Sequence, residues 1–203
     1  GGKVLDPYEI PLDILGVGDV EDNRARVRKS GAFIDIVQKI FPNVGPVQVS
    51  NLQDSLAEIW DSKGPSPTLA DLHESYMTRV PRADGASGSI RSFVLAEVFS
   101  EQPSEFVSFE ELLGDQVVVL ALDKLVRDQN LKNALVALFL NQYFDYMTRR
   151  TTWPFEGEDP SLRRLNSYLV VDEAHSIMKY EFQVLEELAL QCRSFGTGVL
   201  LSS

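Results

Sequence analysis

Three short apolar runs in the second half of the chain, separated by helical patterns, restrict the fold more than any other feature. "QVVVLALDKL" predicts a strand over Gln116–Leu122, a second run lies around Tyr168–Val171, and "GVLLSS" holds the third. Each is continuously apolar and rich in β-branched residues, which predicts burial on both faces, as in a parallel sheet. Parallel strands need long crossovers, and the intervening segments suit that role. "NLKNALVALFLNQYFDYMTRR" repeats Leu131, Leu135, Leu138 and Phe139 at helical spacing and carries Arg149 and Arg150 in its last turn, where cations complement the helix dipole. "YEFQVLEELALQCRSF" is a second helix, stopped by Gly196. Strand, helix, strand, helix, strand is a doubly wound α/β pattern.

The first half reads differently. "KVLDPYEIPLDILGV" is apolar but broken by Pro7 and Pro11, so it predicts no more than short edge pairing. From Glu21 to Phe41 the residues Val27, Phe33, Ile34, Val37 and Ile40 approximate one helical face, closed by Pro42. "SNLQDSLAEIW" predicts a helix capped by Ser50 with Gln53 completing a capping box, and "TLADLHESYM" offers Thr68 and Asp71 in the same relation. A Gly/Ser-rich stretch at 84–89 reads as a loop before the helix of "SIRSFVLAEVF". Residues 21–113 thus form a mostly helical lobe, and 114–203 an α/β core, within one domain spanning 1–203.

Charge and cysteine content narrow the function. With 30 Asp and Glu against 19 Lys and Arg, the net charge of −11 excludes nucleic-acid binding by bulk electrostatics, so any DNA contact must be local. The one cysteine, Cys192, has no partner for an internal disulfide, which fits a cytoplasmic chain. No apolar run approaches the ~18 residues of a membrane span. Two histidines and one cysteine offer no zinc-ligand spacing.

The second run ends in "YLVVDEAH", which sets Asp172 and Glu173 side by side at a strand terminus, with His175 two residues on. Ligands of open α/β sheets bind beyond the carboxyl ends of the strands. Adjacent carboxylates repel one another and are costly to bury. Two readings therefore stand at this level: the start of a surface loop, or a site where a metal and a water take up the two charges.

The surrounding segment, "LRRLNSYLVVDEAHSIMKYEFQVLEELALQCRSFGTGVLLSS", resembles the Walker B region of the HerA/FtsK group of additional-strand P-loop ATPases: apolar strand, "DEAH", acidic helix, "RSFGTG", strand. "LDPYEIPLDIL", the helical insertion around "IVQKIFPNVGPVQVSNLQDSLAEIW", and "FEELLGDQVVVLALDKL" follow the order of elements in HerA-type DNA translocases. The resemblance covers nearly the whole chain. Within the group it is most similar to the HerA-like ATPases of bacterial defence, the DptH type of phosphorothioation-dependent restriction among them. It implies a partial RecA-like P-loop core with a helical insertion lobe, using ATP and Mg2+. It makes Asp172 the carboxylate of the magnesium shell, Glu173 the base that activates water, and His175 a coupling residue. Arg193 takes the place of the family's arginine before "FG", facing a neighbouring subunit. The implied assembly is a hexameric ring on duplex DNA, with a nuclease or restriction partner.

The departure from the family is the phosphate cradle: no G-x-x-x-x-G-K-[ST] occurs in the 203 residues. In the family's order that loop precedes this segment, so the resemblance implies the middle of a larger ATPase, inactive by itself. A relative without the loop, serving as a scaffold or binding module, is the alternative. The residues for DNA are short basic clusters: Arg149, Arg150, Arg163 and Arg164 flanking the loop before the Walker B strand, and Arg24, Arg26, Arg28 and Lys29 on the first helix. Trp153 and Phe155 in that loop read as packing or pore aromatics. Charge clusters of this size are more often solvated faces.

Overall fold

A computed structural model describes residues 1–41, 43–114, 116–125, 128–150 and 165–202. The chain divides into two compact units, Gly1–Leu135 and Val136–Ser203.

The first unit opens with β1 (Gly2–Leu5), and helices α1 (Asn23–Ile40), α2 (Pro46–Lys63), α3 (Leu69–Arg79), α4 (Gly85–Leu95) and α5 (Phe109–Leu113) follow. β2 (Val117–Leu120) returns to pair with β1 in parallel, Val4 opposite Val119 and Leu5 opposite Leu120. Between β1 and α1 the extended segment makes single bridges among the described residues, Ile10 to Phe99 and Leu12 to Val107, which is the short pairing its prolines allow. Packing runs α1 on α2, α2 on α3 and α3 on α4. Phe33, Ile34, Val37, Leu52, Leu56, Ile59, Trp60, Leu72, Tyr76, Ile90 and Phe93 form the apolar core of this lobe.

Four expectations change here. Val27 is exposed, because α1 turns Ala25, Phe33, Ile36 and Ile40 inward instead. α2 starts a turn earlier than Ser50: Pro46 occupies its first turn, suited to a position with no intrahelical N–H bond to lose, and the Gln48 side chain accepts from the Gly45 N–H at 3.2 Å. The stretch 84–89 is the first turn of α4, not a loop. Asp84 caps it, accepting from Ala86 and Ser87 N–H at 3.1 and 3.0 Å, and the small Ala86, Ser87 and Ser89 are buried. The strands, fourth, are not covered on both sides: Val4, Val117 and Val119 share an exposed face of the β1–β2 pair. The Thr68–Asp71 box is present, with Asp71 N–H donating to Thr68 Oγ1 at 3.2 Å and Thr68 N–H to Asp71 Oδ2 at 2.9 Å.

Asp84 also accepts from the buried Tyr76 hydroxyl at 2.8 Å. Burial acts to raise its carboxyl, but the Ser87 N–H, the Tyr76 and Ser87 hydroxyls and the Ala86 N–H together hold it below the usual carboxylate range. A depressed folded value means that its stabilisation is complete above the unfolded value of about 3.9 and is lost as pH falls through the lower folded one. Asp84→Ala should therefore cost about 2 kcal/mol near neutral pH, through the lost cap and a Tyr76 hydroxyl left without the acceptor of its proton. That cost should shrink below about pH 4, read from urea midpoints measured across the acid range.

α6 (Gln129–Arg149) begins in the first unit and continues in the second. In the second unit β3 (Ser167–Val171) precedes α7 (His175–Met178) and α8 (Gln183–Gln191), and a 3-10 turn at Cys192–Phe195 leads to β4 (Thr197–Leu201). Gly196 ends that turn at φ 66, a left-handed conformation glycine adopts without a Cβ penalty. β4 pairs with β3 in parallel, Val171 opposite Leu201, so β3, helix, β4 is the predicted βαβ unit. Each unit holds one parallel strand pair among the described residues.

At the amino end of the β3–β4 pair three hydroxyls close a triangle. Tyr143 of α6 lies 3.0 Å from Ser167 and donates to Thr197 at 3.3 Å, while Ser167 and Thr197 are 3.1 Å apart. Tyr143 and Thr197 are buried, so the triangle fixes the register of α6 on this sheet. Tyr143→Phe should cost about 1 kcal/mol in chemical denaturation, because Ser167 and Thr197 still satisfy each other.

Candidate functional site

The carboxyl end of β3 departs from a regular parallel ladder by one residue. With Val171 paired to Leu201, the Ser202 N–H donates to the Val171 carbonyl at 2.9 Å, as the ladder requires. The Ser202 carbonyl should next accept from residue 173; it accepts instead from the Ala174 N–H, at 2.8 Å. One extra residue is thus accommodated between Val171 and Ala174, which is a β-bulge, a device that re-aims side chains next to functional sites. Glu173 takes the left-handed conformation this needs, at φ 52. For a residue with a Cβ that conformation costs about 1–2 kcal/mol and persists only where the surroundings enforce it. Its displaced N–H is taken up by its neighbour, donating to Asp172 Oδ1 at 2.9 Å.

Asp172 and Glu173 are both exposed, between buried Val171 and buried Ala174. The apolar flanks fix the backbone while both carboxylates meet solvent. Magnesium keeps several waters and takes one or two carboxylates together with substrate phosphates. The donor set fits that chemistry: one Asp172 oxygen is engaged by the Glu173 N–H, and the second remains for a hydrated ion. No group of three or more potential metal-ligating side chains occurs among the described residues, so the pair does not form an all-protein metal cage.

His175 is exposed and opens the single turn of α7. Arg193 lies exposed in the 3-10 turn before β4, at the amino end of the strand whose carboxyl end touches the acidic turn. Five residues of strand, roughly 16 Å, lie between these ends. The fold brings Asp172 and Glu173 together and leaves Arg193 apart from them.

The basic clusters have structural neighbours. Arg149 ends α6 and is exposed, and Arg150 donates to the Tyr146 hydroxyl at 2.7 Å with its guanidinium 5.3 Å from that ring. Arg163 and Arg164, with Trp153 and Phe155, lie outside the described residues. Arg26 is a packing residue: it pairs with Asp61 at 2.9 Å, donates to the Ala57 carbonyl at 3.0 Å and lies 5.5 Å above Trp60. Sequence reasoning missed Ser202, whose contribution is made by main-chain atoms and has no signature in residue type.

Short parallel strand pairs, one with an acidic turn at a carboxyl end, and a helical lobe make this a mixed α/β fold. The solved structure of VirB4 of Thermoanaerobacter pseudethanolicus matches this chain with a TM-score of 0.70 over 98% of its residues and 79% of that chain, at 14% sequence identity. At that identity the likeness is one of fold. No family model matches the sequence, and no curated protein does. No described helix is long and apolar enough to cross a membrane.

Proposed function

We propose that this chain carries the Walker B half of an ATP-driven motor of the HerA/FtsK type. Asp172 orients the hydrated magnesium of a bound ATP and Glu173 polarises the water that attacks its terminal phosphate. The observation that carries this reading is the bulge: a glutamate held in a strained conformation at the carboxyl end of a parallel strand, beside a carboxylate that fits a magnesium shell. ATP supplies the transferable phosphoryl group and the magnesium charge stabilisation at that group. The phosphate cradle, which the 203 residues lack, comes from another segment or subunit.

Arg193 reaches a neighbouring subunit's nucleotide rather than its own, in keeping with its place at the far end of β4. His175 couples the acidic turn to α7. The assembly is a hexameric ring acting on duplex DNA in the cytoplasm, with Arg149, Arg150, Arg163 and Arg164 as its local contacts and a nuclease or restriction enzyme as partner. A second reading, a non-catalytic scaffold of the same fold, is favoured by the missing cradle. Magnesium-dependent ATP hydrolysis by the intact natural protein, with and without duplex DNA, separates the two. DNA-stimulated turnover by the intact protein and none by residues 1–203 alone is expected. An intact protein inactive with DNA and partners present gives the scaffold reading its place, and turnover by residues 1–203 alone refutes the need for an outside cradle.

A further inference from the structure

The acidic turn is tied to α7 by its own following residues, with Ser176 N–H donating to the Glu173 carbonyl at 3.0 Å, and to the neighbouring strand through Ser202. Ser202 gives its N–H to Val171 and its carbonyl to Ala174, the residues on either side of Asp172–Glu173. We propose that Ser202 is a positioning residue for Glu173 and acts through its main chain alone. This deepens the water-activating role proposed for Glu173 and rests on it.

The physical argument is one of constraint. Left to itself Glu173 would relax to negative φ, since the left-handed region is unfavourable for any residue with a Cβ. Relaxation would swing the carboxylate and move Ala174 away from Val171. The two bonds to Ser202 oppose this by fixing the span that three residues, 172 to 174, must cross where two would fit, whereas the Ser176 N–H on the Glu173 carbonyl ties the turn only to α7, which moves with it. The bond within the turn, Glu173 N–H to Asp172 Oδ1, satisfies the displaced amide but cannot hold the span, because both its ends move with the turn. Ser202 is in turn anchored by the β4 ladder, so the clamp belongs to the sheet rather than to a loop.

A role carried by main-chain atoms gives a distinctive pattern of substitution. Ser202→Ala keeps both bonds and should leave the turn unchanged. Ser202→Pro removes the N–H and should release it. The first readout is hydrogen exchange at the Ala174 amide. Protection there should match that of the β3–β4 ladder in the unmodified protein, hold within twofold in Ser202→Ala, and fall at least tenfold in Ser202→Pro. The second is turnover of the intact protein normalised to its titrated nucleotide-binding sites: Ser202→Pro should lower kcat per site with KM for ATP little changed, whereas loss of general stability lowers the number of sites and leaves kcat per site unchanged.

An Ala174 amide that exchanges freely in the unmodified protein overturns the proposal, a result available even if Ser202→Pro does not fold. So does a folded Ser202→Pro variant with Ala174 still protected, or one with released Ala174 and unaltered kcat. Loss of turnover in Ser202→Ala would place the role in the hydroxyl instead. If the exchange results hold but the unmodified protein hydrolyses no ATP, the clamp stands and the motor reading fails.

Discussion

Glu173→Gln lowers magnesium-dependent ATP turnover of the intact protein by a hundredfold or more, with nucleotide binding preserved. General-base assistance typically contributes 10²–10⁴-fold, and the substitution removes the basic oxygen while keeping the side chain's length and shape. The backbone should not move, because Val171, Ala174, Ser176, Ser202 and the Glu173 amide and carbonyl bond through main-chain atoms and Asp172 Oδ1, none of which the substitution changes. Steady-state kinetics and a nucleotide-binding titration on the same preparation check this, and protection of the Ala174 amide shows that the turn is intact. Turnover within tenfold of the unmodified protein would assign water activation to another group. Asp172→Ala is the less informative variant, since it removes both a magnesium-shell oxygen and the acceptor of the Glu173 N–H.

Trp60→Ala should destabilise the first unit by about 3–5 kcal/mol, a large share of the roughly 5–15 kcal/mol that holds a domain together. Trp60 is 2% exposed, and its indole N–H donates to the Leu15 carbonyl at 2.9 Å. Arg26 of α1 lies over the ring and bonds to α2 through Asp61 and the Ala57 carbonyl. One side chain thus joins the extended segment, α1 and α2. The segment is close-packed on itself here: a Cβ on Gly16 would come within 2.1 Å of Asp13 Oδ2. Urea unfolding followed by far-UV circular dichroism measures the loss. Trp60→Phe, which keeps most of the ring and leaves the Leu15 carbonyl without its donor, should cost about 1–2 kcal/mol. A loss below about 1 kcal/mol for Trp60→Ala would show that the extended segment is held elsewhere.

What could be read from the sequence was whatever depends on nearby residues. The Thr68–Asp71 box, the Gly196 stop, the long α6 and the β3–α8–β4 unit all rest on side chains a few positions apart or on a period of apolar residues. Ser50 misled because Pro46, a better first-turn residue, lay only four positions upstream. The 84–89 stretch misled because glycine and serine suggest a loop, whereas here small side chains let α4 pack closely behind a strong Asp84 cap. Continuous apolar runs identified the strands but not their cover, since neighbouring layers, not period, decide which face meets water. The acidic pair was visible as residue types at a strand end. Its bulge, the strained Glu173 and the clamp at Ser202 arise from hydrogen bonds between segments about thirty residues apart, which no local pattern encodes.

The uncovered strand faces bear on how the polypeptide behaves as a colloid. Val4, Val117 and Val119 on one pair, and Tyr168, Val170 and Leu200 on the other, present apolar patches on short parallel sheets. Patches of this kind favour self-association, and the net charge of −11 opposes it at long range. That repulsion reaches about 10 Å at 0.1 M salt but only about 3 Å at 1 M. Dispersion of the isolated chain is therefore a balance that added salt tips toward clustering, with the strand faces as the adhesive surface.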